Sequence, residues 1–124
     1  MGVAAWGETL AEVLEQSTIG MATIAGVWRP GDGDEVPIDI EAGDPGALLV
    51  DWMSEVLYLH EVRRSALAGV IVEAAHEKGA RGLVRLTPLT DEPPEGTQVK
   101  AVTYHRLEVG RDDGGWRARV YLDV

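Results

Sequence analysis

The chain contains no cysteine. That absence excludes a disulfide framework, a thiolate zinc centre and a thiol nucleophile, and it fits a reducing, cytoplasmic setting. Cations are scarce as well. Eleven Lys and Arg stand against 21 Asp and Glu, a formal net charge of −10 over 124 residues. Such a chain is a poor stand-alone binder of a phosphate backbone, which needs clustered cations to release counterions. No stable direct nucleic-acid contact is therefore expected. A basic protein partner suits it better, because an acidic surface steers that encounter. Apolar runs are short and broken by charges, well below the ~20 residues of a membrane helix. The first residues carry no basic stretch and meet Glu8 early, unlike a signal peptide. A Gly-rich phosphate loop, a dinucleotide fingerprint, a His-Glu-x-x-His motif and a nucleophile elbow are also missing.

What is present reads as one folded domain over residues 1–124. Thr9-Leu10-Ala11-Glu12 is a capping box. Leu10, Val13, Leu14, Met21 and Ile24 then share one helical face with Ser17 and Gly20, which predicts a helix over about Leu10 to Ile24. Glu35 to Glu41 alternates apolar and acidic residues, as a half-buried strand does. Asp44-Pro45 is an N-cap followed by proline at the first helical position. The stripe Leu48, Leu49, Trp52, Met53, Val56, Leu57 predicts a central helix to about His60. Leu67 to Glu77 and Gly82 to Thr87 read as strands joined at Lys78-Gly79, and Pro88 to Gly96 as a loop. Val99 to Val109 and Trp116 to Asp123 read as a hairpin about the Asp112 to Gly115 turn. The fold class is α+β: a two-layer domain, two helices over one face of a mostly antiparallel sheet.

Candidate chemistry gathers at the C-terminal end. The Asp123 side chain and the Val124 terminal carboxylate place two hard-oxygen groups one residue apart, suited to Ca²⁺ or Mg²⁺. Two groups fall short of the about six to eight oxygens that Ca²⁺ takes. One strand carries Lys100, Thr103, Tyr104 and His105; period-2 geometry sets Thr103 and His105 on one face, Lys100, Val102 and Tyr104 on the other. Arg106, Arg111, Arg117 and Arg119 reverse the local charge of an acidic chain, although arginines paired across strands would explain them equally well. Asp32/Asp34 and Asp112/Asp113 read as turn chemistry.

The run Lys100-Ala101-Val102-Thr103-Tyr104-His105, with Gly115-Trp116 and the terminal Asp123-Val124, resembles archease. Leu48 to Leu59 resembles the second signature of that family, and the first helix with Gly20-Met21 its first. The resemblance implies an accessory protein that performs no chemistry alone. Its implied partner is an RtcB-type RNA ligase, whose guanylylation and turnover in tRNA splicing or RNA repair it promotes. It also implies a bound divalent ion, commonly Ca²⁺, with the positions of Asp123 and Val124 among the ligands. Lys100, Thr103, Tyr104 and His105 become candidates for the ligase-activating surface. Family members open with an Asp-His-Thr-Ala-Asp type segment that supplies a further metal ligand; here Met1 stands at the next position. Pro93 stands where family members often carry a histidine. Two other readings remain open on the residues alone: a small metal-dependent phosphate-ester hydrolase, and a non-enzymatic acidic protein-binding module.

Overall fold

Thr9 and Asp44 start the two helices. In the computed structural model, which describes residues 1–90 and 94–124, helix α1 spans Leu10–Ile24 and helix α2 spans Pro45–Arg63. The Thr9 hydroxyl accepts from the Glu12 amide at 3.2 Å, and the Glu12 carboxylate accepts from the Glu8 amide at 2.7 Å. The expected box forms with its return bond one residue upstream of the cap. At α2 the Asp44 carboxylate accepts from the Ala47 amide at 2.8 Å. This helix continues past the expected His60 and ends at Arg64, whose φ of 49° makes the left-handed cap. The buried side of α1 holds Leu10, Val13, Leu14, Ser17 and Met21 as expected, and also Thr18. Thr18 can be buried because its hydroxyl donates to the Leu14 carbonyl at 2.7 Å.

The strands are β1 (Gly2–Gly7), β2 (Asp34–Glu41), β3 (Ser65–His76), β4 (Gly79–Pro88), β5 (Ala101–Asp112) and β6 (Gly115–Asp123). Their pairings are antiparallel, but they form two three-stranded sheets, β1-β6-β5 and β2-β4-β3, where one sheet was expected. Helix α1 packs on β1, β6 and β3; helix α2 packs on β5 and on β2, β3 and β4. Each helix therefore touches both sheets, and the helical pair joins them. The α+β class stands; the picture of two helices on one sheet face is corrected. Alternation along a strand specifies an inner face but says nothing about which sheet the strand enters.

Local details agree with this arrangement. Pro37 lies on β2, an edge strand, where a missing amide costs no ladder bond. A shift in the β3–β4 register falls between Val72 and Ala74, and there Glu15 of α1 accepts from the Val72 amide at 2.9 Å. The segment after α1 runs along β3: Arg29 donates to the Leu67 carbonyl at 2.8 Å, and Trp28 forms a parallel bridge to Leu67. The connection from β4 to β5 is fastened where α1 ends. Thr97 donates to the Ile24 carbonyl at 2.8 Å, and a Cβ on Gly26 (φ 73°) would overlap the Gly96 backbone. Pro93, in the same connection, lies outside the described residues. One core cluster runs from Val3 to Leu122, with Trp52, Leu48, Leu49 and Met53 fully buried within it. Among the described residues no helix is long and apolar enough to cross a membrane.

Candidate functional site

The β5–β6 hairpin closes through Asp113-Gly114, with Asp112 opposite Gly115. The Gly114 amide donates to the Asp112 carboxylate at 2.9 Å, and Gly115 takes a φ of 127°. Further along, β5 departs from the plain strand read in the sequence. Thr103 is opposite Tyr121 and Glu108 is opposite Arg119, so five steps along β5 answer two along β6. Tyr104, His105, Arg106 and Leu107 fill this bulge, and Arg106 has a φ of 55°. A side chain in that left-handed region costs on the order of 1–3 kcal/mol, which the surroundings must offset.

Helix α2 supplies the offsetting contacts. Leu107 packs onto Gly46 so closely that a Cβ there would lie 2.9 Å from its Cδ2. The Tyr104 hydroxyl points to the Asp51 carboxylate at 3.5 Å, the outer limit of a hydrogen bond. Loss of surrounding water and then the Asp51 carboxylate raise the Tyr104 phenol above its ordinary 10.0. His105 turns to the opposite face, where its ring meets Tyr121 edge-on at 6.2 Å. Thr103 lies on that face too, its hydroxyl donating to the Tyr121 carbonyl at 3.1 Å. The alternation expected for Thr103, Tyr104 and His105 is therefore realised, on a bulge and not on a regular strand. Bulges re-aim side chains in this way.

Asp123 ends β6, exposed and opposite Ala101, and Val124 is 43% exposed. The Lys100 amide donates to the Asp123 carbonyl at 2.7 Å, so Lys100 and Asp123 do meet, at the end of the sheet away from the turn. The β1 strand begins at the same place: Leu122 donates to the Met1 carbonyl at 2.7 Å. One further step of the β1–β6 register would set a residue preceding Met1 opposite Asp123. Asp123 and the Val124 terminus supply two hard-oxygen groups here, and among the described residues no group of three His, Asp or Glu is placed to hold a metal. The 124-residue chain is accordingly expected to bind Ca²⁺ more weakly than about 10⁻³ M, the loose end of protein Ca²⁺ sites. Titration calorimetry checks this, and a micromolar Kd would contradict it.

Sequence reasoning assigned no role to Asp51, Gly46 or Trp6. Gly46, directly after Pro45, was a signal that something approaches the start of α2. Trp6 alternates with the buried Val3 and Ala5, which sets it outward beside Arg117.

Comparisons with known proteins agree with this fold. Residues 1–124 match the model of the Archease protein family (MTH1598/TM1083). The chain is 35% identical over 126 residues to the protein archease of Methanosarcina mazei, covering 97% of this chain and 86% of that protein. It is 30% identical to the protein archease of Pyrococcus furiosus, covering 100% of this chain and 92% of that one. The solution structure of Methanobacterium thermoautotrophicum protein 1598 superposes with a TM-score of 0.76 at 27% identity, over 99% of this chain and 91% of that one. A Thermotoga maritima crystal structure, described as an archease and possible chaperone, gives 0.71 at 17% identity, over 100% and 90%, and speaks for the fold alone.

Proposed function

Since this chain belongs to the archease family, we propose that it is a cytoplasmic accessory protein that activates an RtcB-type RNA ligase, promoting its guanylylation and turnover in tRNA splicing or RNA repair. It performs no chemistry alone. The observation that carries the reading is the meeting of two signature segments at Tyr104 and Asp51. Tyr104 is 60% exposed, and beside it α2 carries Asp51, Glu55, Tyr58 and Val62 at helical spacing. Tyr58 and Val62 are exposed as well. Exposed aromatic and aliphatic groups beside carboxylates, on a chain of net charge −10, suit a basic protein surface. Of the other activation candidates, Thr103 and His105 lie at the same bulge but on the opposite face, beside Tyr121, and Lys100 directly precedes β5.

A hard divalent cation, Ca²⁺ or Mg²⁺, has a place in this reading at Asp123 and the terminal carboxylate. It requires a further carboxylate from the partner or from a residue preceding Met1. No step is derived through it. The phosphate-ester hydrolase reading is not favoured, because it needs an assembled metal site.

The test is a ligation assay with GTP, a divalent metal and an RtcB-type ligase in substoichiometric amount. Multiple turnover is expected on adding this chain. No stimulation, even from an N-terminally extended version, would remove the proposal. The encounter itself should depend on charge: the association rate is expected to fall roughly tenfold or more as salt rises through the physiological range. A flat response in stopped-flow mixing would exclude docking through the acidic face.

A further inference from the structure

The outward face of the β1-β6-β5 sheet shares only Thr103 and His105 with the ligase reading, and it is not a bland solvated surface. Trp6 stands at one end, 70% exposed. Arg117, opposite Trp6, and Arg119, opposite Ala4, follow it along β6. Tyr121 comes next on the same face, with His105 edge-on against it. Two arginines are thus bracketed by an indole at one end and a phenol–imidazole pair at the other. Trp6 and Tyr121 are separated by four steps of β6 register, about 13 Å of strand.

The space between them is open because the neighbouring residues are small. Ala4 and Gly110, with Trp6, Arg117 and Arg119, line a concavity of about 580 Å³. A second, of about 390 Å³, adjoins it across Arg119 and is lined by Arg106 and Tyr121. Glu108 borders both and is their one carboxylate; against it stand Arg106, Arg117 and Arg119. The strip is therefore locally cationic on a strongly acidic chain. Arg111, by contrast, already covers the Trp116 ring at 5.6 Å, so that pair offers no open stacking face.

We infer that this face is a binding platform for a short single-stranded RNA segment, with bases stacking at Trp6 and Tyr121 and the intervening phosphates on Arg117 and Arg119. Stacking on exposed aromatic rings with arginines tracking the backbone is how single strands are held without base readout. Thr103 and His105, beside Tyr121, offer polar groups to a ribose hydroxyl, which is the feature that separates RNA from DNA. A duplex keeps its bases stacked inside and cannot use the rings. An acidic peptide would use the arginines but leave Trp6 idle. The net charge of −10 opposes any polyanion at long range, so the platform binds weakly and over a few nucleotides only. The inference shares Thr103 and His105 with the ligase reading, but its test turns on Trp6, Arg117 and Arg119, so either can fail without the other.

The experiment is fluorescence anisotropy with a labelled oligouridylate of about eight nucleotides, within the site size of small stacking folds. Trp6→Ala is expected to weaken binding at least fivefold, and Trp6→Phe to retain most of it. Arg117→Gln with Arg119→Gln should reduce the dependence of log K on log salt by about 1.4, the value for two single-strand phosphates. Single-stranded DNA should bind more weakly than RNA. Amide shift changes on adding the oligonucleotide should map to β1, β5 and β6, which serves even if a variant folds poorly. No binding, an unchanged Trp6→Ala, equal binding of duplex RNA or polyglutamate, or shifts confined to α2 would each overturn the inference. Equal binding of DNA would overturn the assignment to RNA.

Discussion

Trp52→Ala lowers the unfolding free energy by about 3–5 kcal/mol, the cost of deleting a large aromatic side chain from a packed core. Trp52 is fully enclosed, near the middle of α2, and α2 is packed by strands of both sheets. A void there removes partners from both sides, and neither sheet can close it without losing register on the helix. For a chain of this size the loss takes a large part of the ~5–15 kcal/mol that holds such domains together. The indole nitrogen is buried and has no hydrogen-bond partner among the described residues. Trp52→Phe therefore sacrifices no bond and exchanges one unsatisfied donor for a smaller ring, so it should cost far less than the alanine change. Urea unfolding of the three proteins checks both statements. Equal losses for Phe and Ala would mean that the nitrogen, and not the volume, matters.

Tyr104→Ala has the largest expected effect on the proposed activity. The ring is exposed on a bulge that Leu107 and Asp51 hold against α2. An aromatic anchor presented on a fixed support has the character of an interface hot spot, and truncating one typically costs about 2 kcal/mol or more. The concentration giving half-maximal ligase stimulation should rise roughly 30-fold. Tyr104→Phe keeps the ring and loses only the long hydroxyl contact to Asp51, so it should stay within about threefold. A wild-type response from Tyr104→Ala would move the docking surface elsewhere. A collapse with Tyr104→Phe as large as with alanine would make the hydroxyl the important group.

Both predictions depend on features that differ in how far they can be read from the residues. The helices were legible because their signals are local. Thr9 with Glu12 and Asp44 with Pro45 determine where each begins, and the apolar stripe determines what each buries. Trp52 at the centre of the core follows from that stripe. Thr18 escaped because a hydroxyl in an apolar stripe looks wet until it bonds back to Leu14. The bulge at Tyr104 to Leu107 escaped for a different reason. It is imposed by Gly46 and Asp51, more than fifty residues away in the chain, and β-alternation continues through the segment as though nothing happened. The division into two sheets was hidden likewise, since inner and outer positions alternate identically in either. Asp123 ends its strand as read, whereas Lys100, read into the neighbouring strand, lies just before β5, and what lies around them depends on the approach of Met1, which alternation does not reveal.

The pairing of β1 with β6 also sets an order of events during synthesis. Gly2 finds its partner in Tyr121, so β1 can be completed only by a strand that follows β2, β3, β4 and both helices in the chain. Chains emerge and fold N-terminal part first, and β2, β3, β4 and both helices are all translated before β6 exists. The nascent protein therefore carries β1 with an unmatched edge for most of its translation. The hairpin that carries Tyr104 and His105 follows all of these elements, and its arrival is what gives β1 its partner.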